Sequence, residues 1–182
     1  MKNLKITLLA AVIFGFAFSN LQNANAQNVL EGVEINGVTW ATTNVGATAP
    51  GDYGNLFSWQ EAQTACPKGW RLPTMKELEM FENYNWVKEE VIDARVPSVW
   101  ANSDGKNGRC FTDKVTKNSI FLPAAGYINT NGMPYNTGIY GFYWSSTEHG
   151  RYNANFLCFY HGNAYLYLNL KDSGHSVRCV AE

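Results

Sequence analysis

The stretch Ala65–Phe81, ACPKGWRLPTMKELEMF, decides how the chain is read. It sets a cysteine directly before a proline, continues through Gly69-Trp70, and then opens what reads as a fresh helix at Thr74. Pro67 lacks the N–H a helix needs, and Gly69 accepts a left-handed backbone, so together they end any helix that reaches Cys66. Cys66 then sits at a helix end as a reactive thiol, a metal ligand or one half of a disulfide.

Upstream, FSWQEAQTAC (Phe57–Cys66) carries Ser58 three residues before Glu61, the spacing at which each side chain bonds the other's backbone N–H. The same segment places Trp59, Ala62 and Cys66 on one helical face. Downstream, Thr74 and Glu77 repeat the capping box, and Met75, Leu78 and Phe81 form an inward stripe. The spacing predicts helix, sharp turn, helix. Glu77, Glu79 and Glu82 resemble a catalytic carboxylate set, but Glu77 caps and the other two fall on the polar side, which reads as a solvated helix face.

Residues 1–26 begin with Lys2 and Lys5, run through ITLLAAVIFGFAF and close on Ala24-Asn25-Ala26. This is the pattern of a secretory signal peptide cleaved before Gln27; the apolar run is too short and wrongly flanked to span a membrane. No later segment reaches spanning length, and the first cysteine, Cys66, is far from the cleavage point, so no N-terminal lipid is expected. Residues 27–32 read as a lead-in and 33–182 as one domain. The protein is expected in the periplasm, on the cell surface or released.

The whole chain has 14 Lys and Arg against 15 Asp and Glu, a formal charge of −1, and loss of Lys2 and Lys5 with the leader takes it to −3. That balance gives no footprint for nucleic acid or anionic membrane. Aromatic residues make up 14% of the chain, enough for ring-lined surfaces or a ring-rich core. All four cysteines lie after the leader, and an even count in an exported chain favours disulfides. They show no C-x-x-C pair, and His149, His161 and His175 lack helical i, i+4 spacing, so neither metal nor cofactor is expected.

GVEINGVTWATTNVG carries Asn36-Gly37 between two alternating runs, a hairpin signal in which Val33 shares a face with Ile35, and Val38 with Trp40. VKEEVIDA suggests a short helix stopped before Pro97, and ANSDGKNG is turn material. GRCFTD, NSIFLPAAGYI, GFYWSST, NANFLCFY, AYLYLNL and HSVRCV then read as strands. Early helices followed by strands give an α+β class, with both chain ends as strands able to pair.

INGVTWATTNVG, GDYGNLFSWQEAQTACPKGWRLPTMKEL, IFLPAAGY, GFYWSST and GHSVRCV, in that order, resemble the Fibrobacter succinogenes major paralogous domain, a family of exported bacterial domains. The resemblance spans about Val33 to Val180. It implies a C-type lectin-like fold, distantly similar to the formylglycine-generating enzymes: two helices packed on a twisted antiparallel sheet with long loops. It further implies a disulfide from the end of the first helix to the last strand, the places held here by Cys66 and Cys179. Cys110 and Cys158 then remain as a second pair by pairing logic alone, with a buried free thiol at Cys158 as the alternative.

The lectin triplets Glu-Pro-Asn and Gln-Pro-Asp are absent, as is an acidic calcium loop, so any binding is expected to be calcium-independent. With Cys66 and Cys179 bridged, an enzyme of the formylglycine-generating type would have to use Cys110 and Cys158, neither of which sits in a matching motif; an enzymatic role stands third. Ser145 and Ser146 near Glu148 and His149 read as a strand end whose hydroxyls bond backbone. In AYLYLNL, Ala164, Leu166, Leu168 and Leu170 take one face, and Tyr165, Tyr167 and Asn169 the other. With the leucines inward, that second face joins Tyr160, His161 and Asn163 in a polar-aromatic strip suited to a sugar, or it is ordinary cross-strand packing. NTNGMPYNTGIYG and STEHGRYNAN read as recognition loops or plain connectors. The leading expectation is a non-enzymatic module that recognises a glycan or a surface protein. The alternative is a structural or assembly component of the cell envelope.

Overall fold

The computed structural model describes residues 30–85 and 88–182. The expected leader and its cleavage point lie outside the described residues. Asn36 and Gly37 adopt positive φ, 50° and 78°, and fold β1 (Gly32–Ile35) onto β2 (Val38–Ala41) as a tight hairpin. Alternation then buries Ile35 and Trp40 fully, with Val33 and Val38 packed beside them.

The chain continues through β3 (Leu56–Phe57), α1 (Trp59–Ala62), β4 (Trp70–Arg71), α2 (Met75–Leu78), a 3₁₀ turn (Glu79–Phe81), β5 (Tyr84–Asn85) and β6 (Glu90–Val91). Of the described residues, strand accounts for 44% and helix for 7%, which corrects the α+β, C-type lectin-like expectation of two helices on a sheet. Both capping boxes do form: Glu61 Oε2 accepts the Ser58 N–H at 2.8 Å, and Glu77 Oε2 the Thr74 N–H at 2.7 Å. Each box nucleates about one turn. Past Ala62 the N–H groups of Gln63, Thr64 and Ala65 reach back three residues instead of four, while the Gln63 and Thr64 side chains bond Trp59 O and Glu61 O. The ladder tightens and stops before Pro67.

The second helical segment fails in the same way. After Leu78 it tightens to 3₁₀ geometry, so Leu78, Met80 and Phe81 are buried, and Met75 is left half-buried with its N–H on Thr147 Oγ1 at 2.9 Å. The VKEEVIDA helix is also overturned where it is described. Asn85 Oδ1 takes the Lys88 N–H, Glu89 adopts φ 52°, and β6 returns along β5 as a hairpin.

Three longer strands follow, β7 (Ser98–Ser103), β8 (Lys106–Thr112) and β9 (Ser119–Pro123), with Asp104-Gly105 as the positive-φ turn between the first two. Then come β10 (Tyr127–Ile128), β11 (Pro134–Tyr135), β12 (Gly141–His149), β13 (Asn153–Phe159), β14 (Ala164–Leu170), β15 (His175–Ser176) and β16 (Val180–Ala181). The largest sheet has the order β14-β13-β12-β15-β3, with β12 and β15 parallel. A second, β1-β2-β16-β4, brings the first hairpin of the described residues to the last strand: Val180 lies opposite both Trp40 and Arg71. Among the described residues no helix is long and apolar enough to cross a membrane.

β13 is buried on both faces, which is why NANFLCFY shows no alternation. Leu157 and Phe159 enter a core with Trp40, Phe81, Phe111 and Tyr143. Ala154, Phe156 and Cys158 enter another with Ala62, Leu72, Trp144, Val177 and Cys179. In that second core Cys66 is bonded to Cys179 across 113 residues, with Cα atoms 5.9 Å apart. By chain-entropy reasoning a loop of that length contributes about 4–5 kcal/mol.

The expected second bridge is not formed: Cys110 and Cys158 are free thiols. On β8 the buried Arg109 and Phe111 take the inward side and turn Cys110 to the other, between Val99 and Phe121. Cys158 belongs to a different sheet and faces the second core.

Candidate ligand-binding face

One face of the largest sheet is paved with rings. Phe142 and Trp144 on β12, Phe156 on β13, Tyr165 and Tyr167 on β14 and His175 on β15 share it through the cross-strand registers Phe142↔Cys158, Trp144↔Phe156 and Phe156↔Tyr167. At one end the floor is closed over. His175 is fully buried and stacked on Trp144, and the Trp144 indole N–H donates to Phe57 O at 2.8 Å. Asn169 Oδ1 accepts the Leu170 N–H, so its amide nitrogen faces His175 Nε2 at 3.0 Å and the neutral ring accepts there. Burial pulls the His175 pKa down to about 3.

At the other end the rings come to the surface. Gly126 takes φ 70°, and a Cβ there would meet Tyr135 O at 2.1 Å, so only glycine lets β11 fold back this closely. The resulting hairpin lays Tyr135 on Tyr127 (centroids 5.7 Å apart, planes at 27°) and Tyr127 against Phe142 at 4.8 Å. Tyr140 sits 5.9 Å from Phe142 and 5.4 Å from Tyr160, which carries the ring strip to the β13–β14 turn. Phe142 also stacks on Phe156 at 5.6 Å, and Phe156 meets Tyr167 edge to face. Tyr135 is 44% exposed and Tyr167 49%, with Met133 and Ile139 exposed at the margin.

The six residues expected from sequence are distributed unevenly over this face. Tyr160 and Tyr167 belong to it, and Asn163 reaches the Tyr160 hydroxyl at 3.4 Å. His161 is exposed at the turn. Tyr165 is half-buried against Cys158, and Asn169 is committed to His175. The leucine side of β14 is inward only at its start: Ala164 and Leu166 reach the core, whereas Leu170 is exposed. Sequence reading missed Tyr127 and Phe142, which lie in segments read as strands, and Tyr135 and Tyr140, whose only signal was the ring content of a segment read as a loop.

The Fibrobacter succinogenes major domain family matches residues 18–181, from within the stretch read as a leader to the last strand. The chain belongs to this family. No curated protein and no solved structure matches it.

Among the described residues, the serine, carboxylate and thiol groups weighed from sequence have the following partners. Ser145 is buried and donates to Asn155 O at 2.8 Å, while Glu148 is bonded by Lys171. Burial pushes the Cys158 thiol up to about 12, which leaves it protonated at neutral pH. Among the described residues no three His, Cys, Asp or Glu side chains converge as metal ligands.

Proposed function

We propose that this family member is an exported, non-enzymatic module that binds a glycan on the ring-paved face, without calcium. The observation that carries the reading is the unbroken path of ring contacts from Tyr135 through Tyr127, Phe142 and Tyr140 to Tyr160. Exposed rings offer flat apolar surfaces to the C–H faces of a sugar, and amides such as Asn163 beside them offer directional hydrogen bonds. The rings stand on a packed sheet and are in place before the ligand arrives, which lowers the ordering cost of binding. The protonated thiol of Cys158, and its place in a different sheet from Cys110, speak against a catalytic thiol pair.

A glycan array probed with and without a calcium chelator tests this. Chelator-insensitive binding that Tyr135→Ala and Tyr140→Ala both weaken supports it, and a silent array removes it. A second reading, assembly with sister subunits of the cell envelope, draws on Met133 and Ile139, exposed at 56% and 58% beside the rings. Sedimentation would then show concentration-dependent self-association that the same substitutions abolish.

A further inference from the structure

We infer that the face is selective for neutral glycans, those without carboxylate, sulfate or phosphate; this rests on the glycan reading above. Two blocks of sequence supply every ring of the exposed strip, and neither contains an Asp, Glu, Lys or Arg. They are the 30 residues from Asn118 to Thr147 and the 19 from Tyr152 to Leu170. All 29 formal charges of the chain, 14 positive and 15 negative, lie elsewhere.

Among the described residues, the two cations bonded to the strip or beside it are already committed. Arg109 approaches it from beneath, but it is only 4% exposed. Its guanidinium donates to Tyr160 O at 2.7 Å, Gly162 O at 3.3 Å and the Ser98 hydroxyl at 2.7 Å. Lys106, linked to the same side through Asn107 and Gly138, is paired with Asp52 at 2.7 Å. The polar side chains near the rings in sequence include Asn129, Asn136 and Thr137; Asn163 bonds the Tyr160 hydroxyl, and the exposed imidazole of His161 lies 6.5 Å from the Tyr160 ring.

Such a surface discriminates by desolvation. An anionic sugar laid on it gives up hydration of its charge and meets no cation in return, whereas a neutral sugar exchanges hydroxyl hydration for amide hydrogen bonds. With no charge pair formed across the interface, ionic strength has nothing to screen.

Native electrophoresis of the exported chain through gels containing matched polymers tests the inference. The neutral set is dextran, galactomannan and a mixed-linkage β-glucan; the acidic set is dextran sulfate, alginate and polygalacturonate. Retardation by at least one neutral polymer alone is expected, changing less than about twofold between low and high NaCl. Tyr135→Ala should weaken it about tenfold, the loss of one stacked ring, and Tyr135→Phe should restore it. Melting temperatures of both variants show that the fold is kept. Salt-sensitive retardation by the acidic polymers would overturn the selectivity while leaving glycan binding standing. Retardation by neither set would remove the glycan reading itself, and this inference with it.

Discussion

The imidazole of His175 lies on the indole of Trp144 with ring centroids 3.9 Å apart and planes 18° apart. Fully buried, the ring is held neutral, and burial lowers its pKa to about 3. Unfolding exposes an ordinary histidine near 6.5 that takes up a proton the folded ring refuses. Stability is therefore fully present above about pH 6.5 and is lost as pH falls toward 3, by at most about 1.4 kcal/mol per pH unit. Urea unfolding at intervals from pH 7 to 4.5 should show this slope, and His175→Phe, which keeps a stacked ring, should flatten it. An unchanged slope in the variant would mean that another group titrates there.

A lower window belongs to Glu77. The Arg71 guanidinium, bonded to its two oxygens at 2.6 and 2.9 Å, holds its carboxyl down at about 2. Its contribution is present above about pH 4.5, its unfolded value, and is lost as pH falls toward 2. Arg71 is 42% exposed, so solvent screens the pair, and the capping bonds from Thr74 add to its effect. Thr74→Ala is expected to cost about 1 kcal/mol at neutral pH, read from denaturant midpoints.

Arg178 is fully buried and bonds three neutral acceptors: Asn44 Oδ1 at 2.8 Å, Ala41 O at 2.9 Å and Phe121 O at 3.1 Å. Burial lowers its pKa to about 10, so it stays charged at neutral pH and ties β2, the following loop and β9 together. Arg178→Met leaves those oxygens without donors and should cost about 2–4 kcal/mol. Arg178→Lys should also destabilise, because one ammonium cannot span the three sites. A loss below about 0.5 kcal/mol in both variants would show that water takes over the guanidinium's role.

The sulfur arrangement has a chemical readout. Peptide mapping of the unreduced protein should recover Cys66 joined to Cys179, with about 4–5 kcal/mol lost in the Cys66→Ser, Cys179→Ser double variant. In the native state Cys110, partly exposed, should alkylate well ahead of Cys158, which is buried and has its thiol pushed up to about 12. Equal rates would place Cys158 at the surface and undo the packing described for the second core.

The sequence by itself determined what depends on near neighbours. Asn36-Gly37 closes a hairpin because both residues tolerate positive φ, and Ser58-Glu61 and Thr74-Glu77 cap helical turns because the reciprocal bonds span three residues. The late strands and the meeting of the first hairpin with the last strand were legible from alternation and turn residues. The Cys66–Cys179 bond was legible only through resemblance. Tertiary structure decided the rest. Helix length was set by where Cys66 and Met80 had to point, since a capped turn has too few backbone bonds to persist against packing. It also decided that Cys110 and Cys158 face apart, because each follows the pleat of its own sheet. The candidate face was half hidden for the same reason. Tyr165, Tyr167 and Tyr160 shared a readable strand and turn, but Tyr127, Tyr135 and Tyr140 join them only when the Gly126 backbone brings a separate hairpin over β12, a contact that no local pattern encodes.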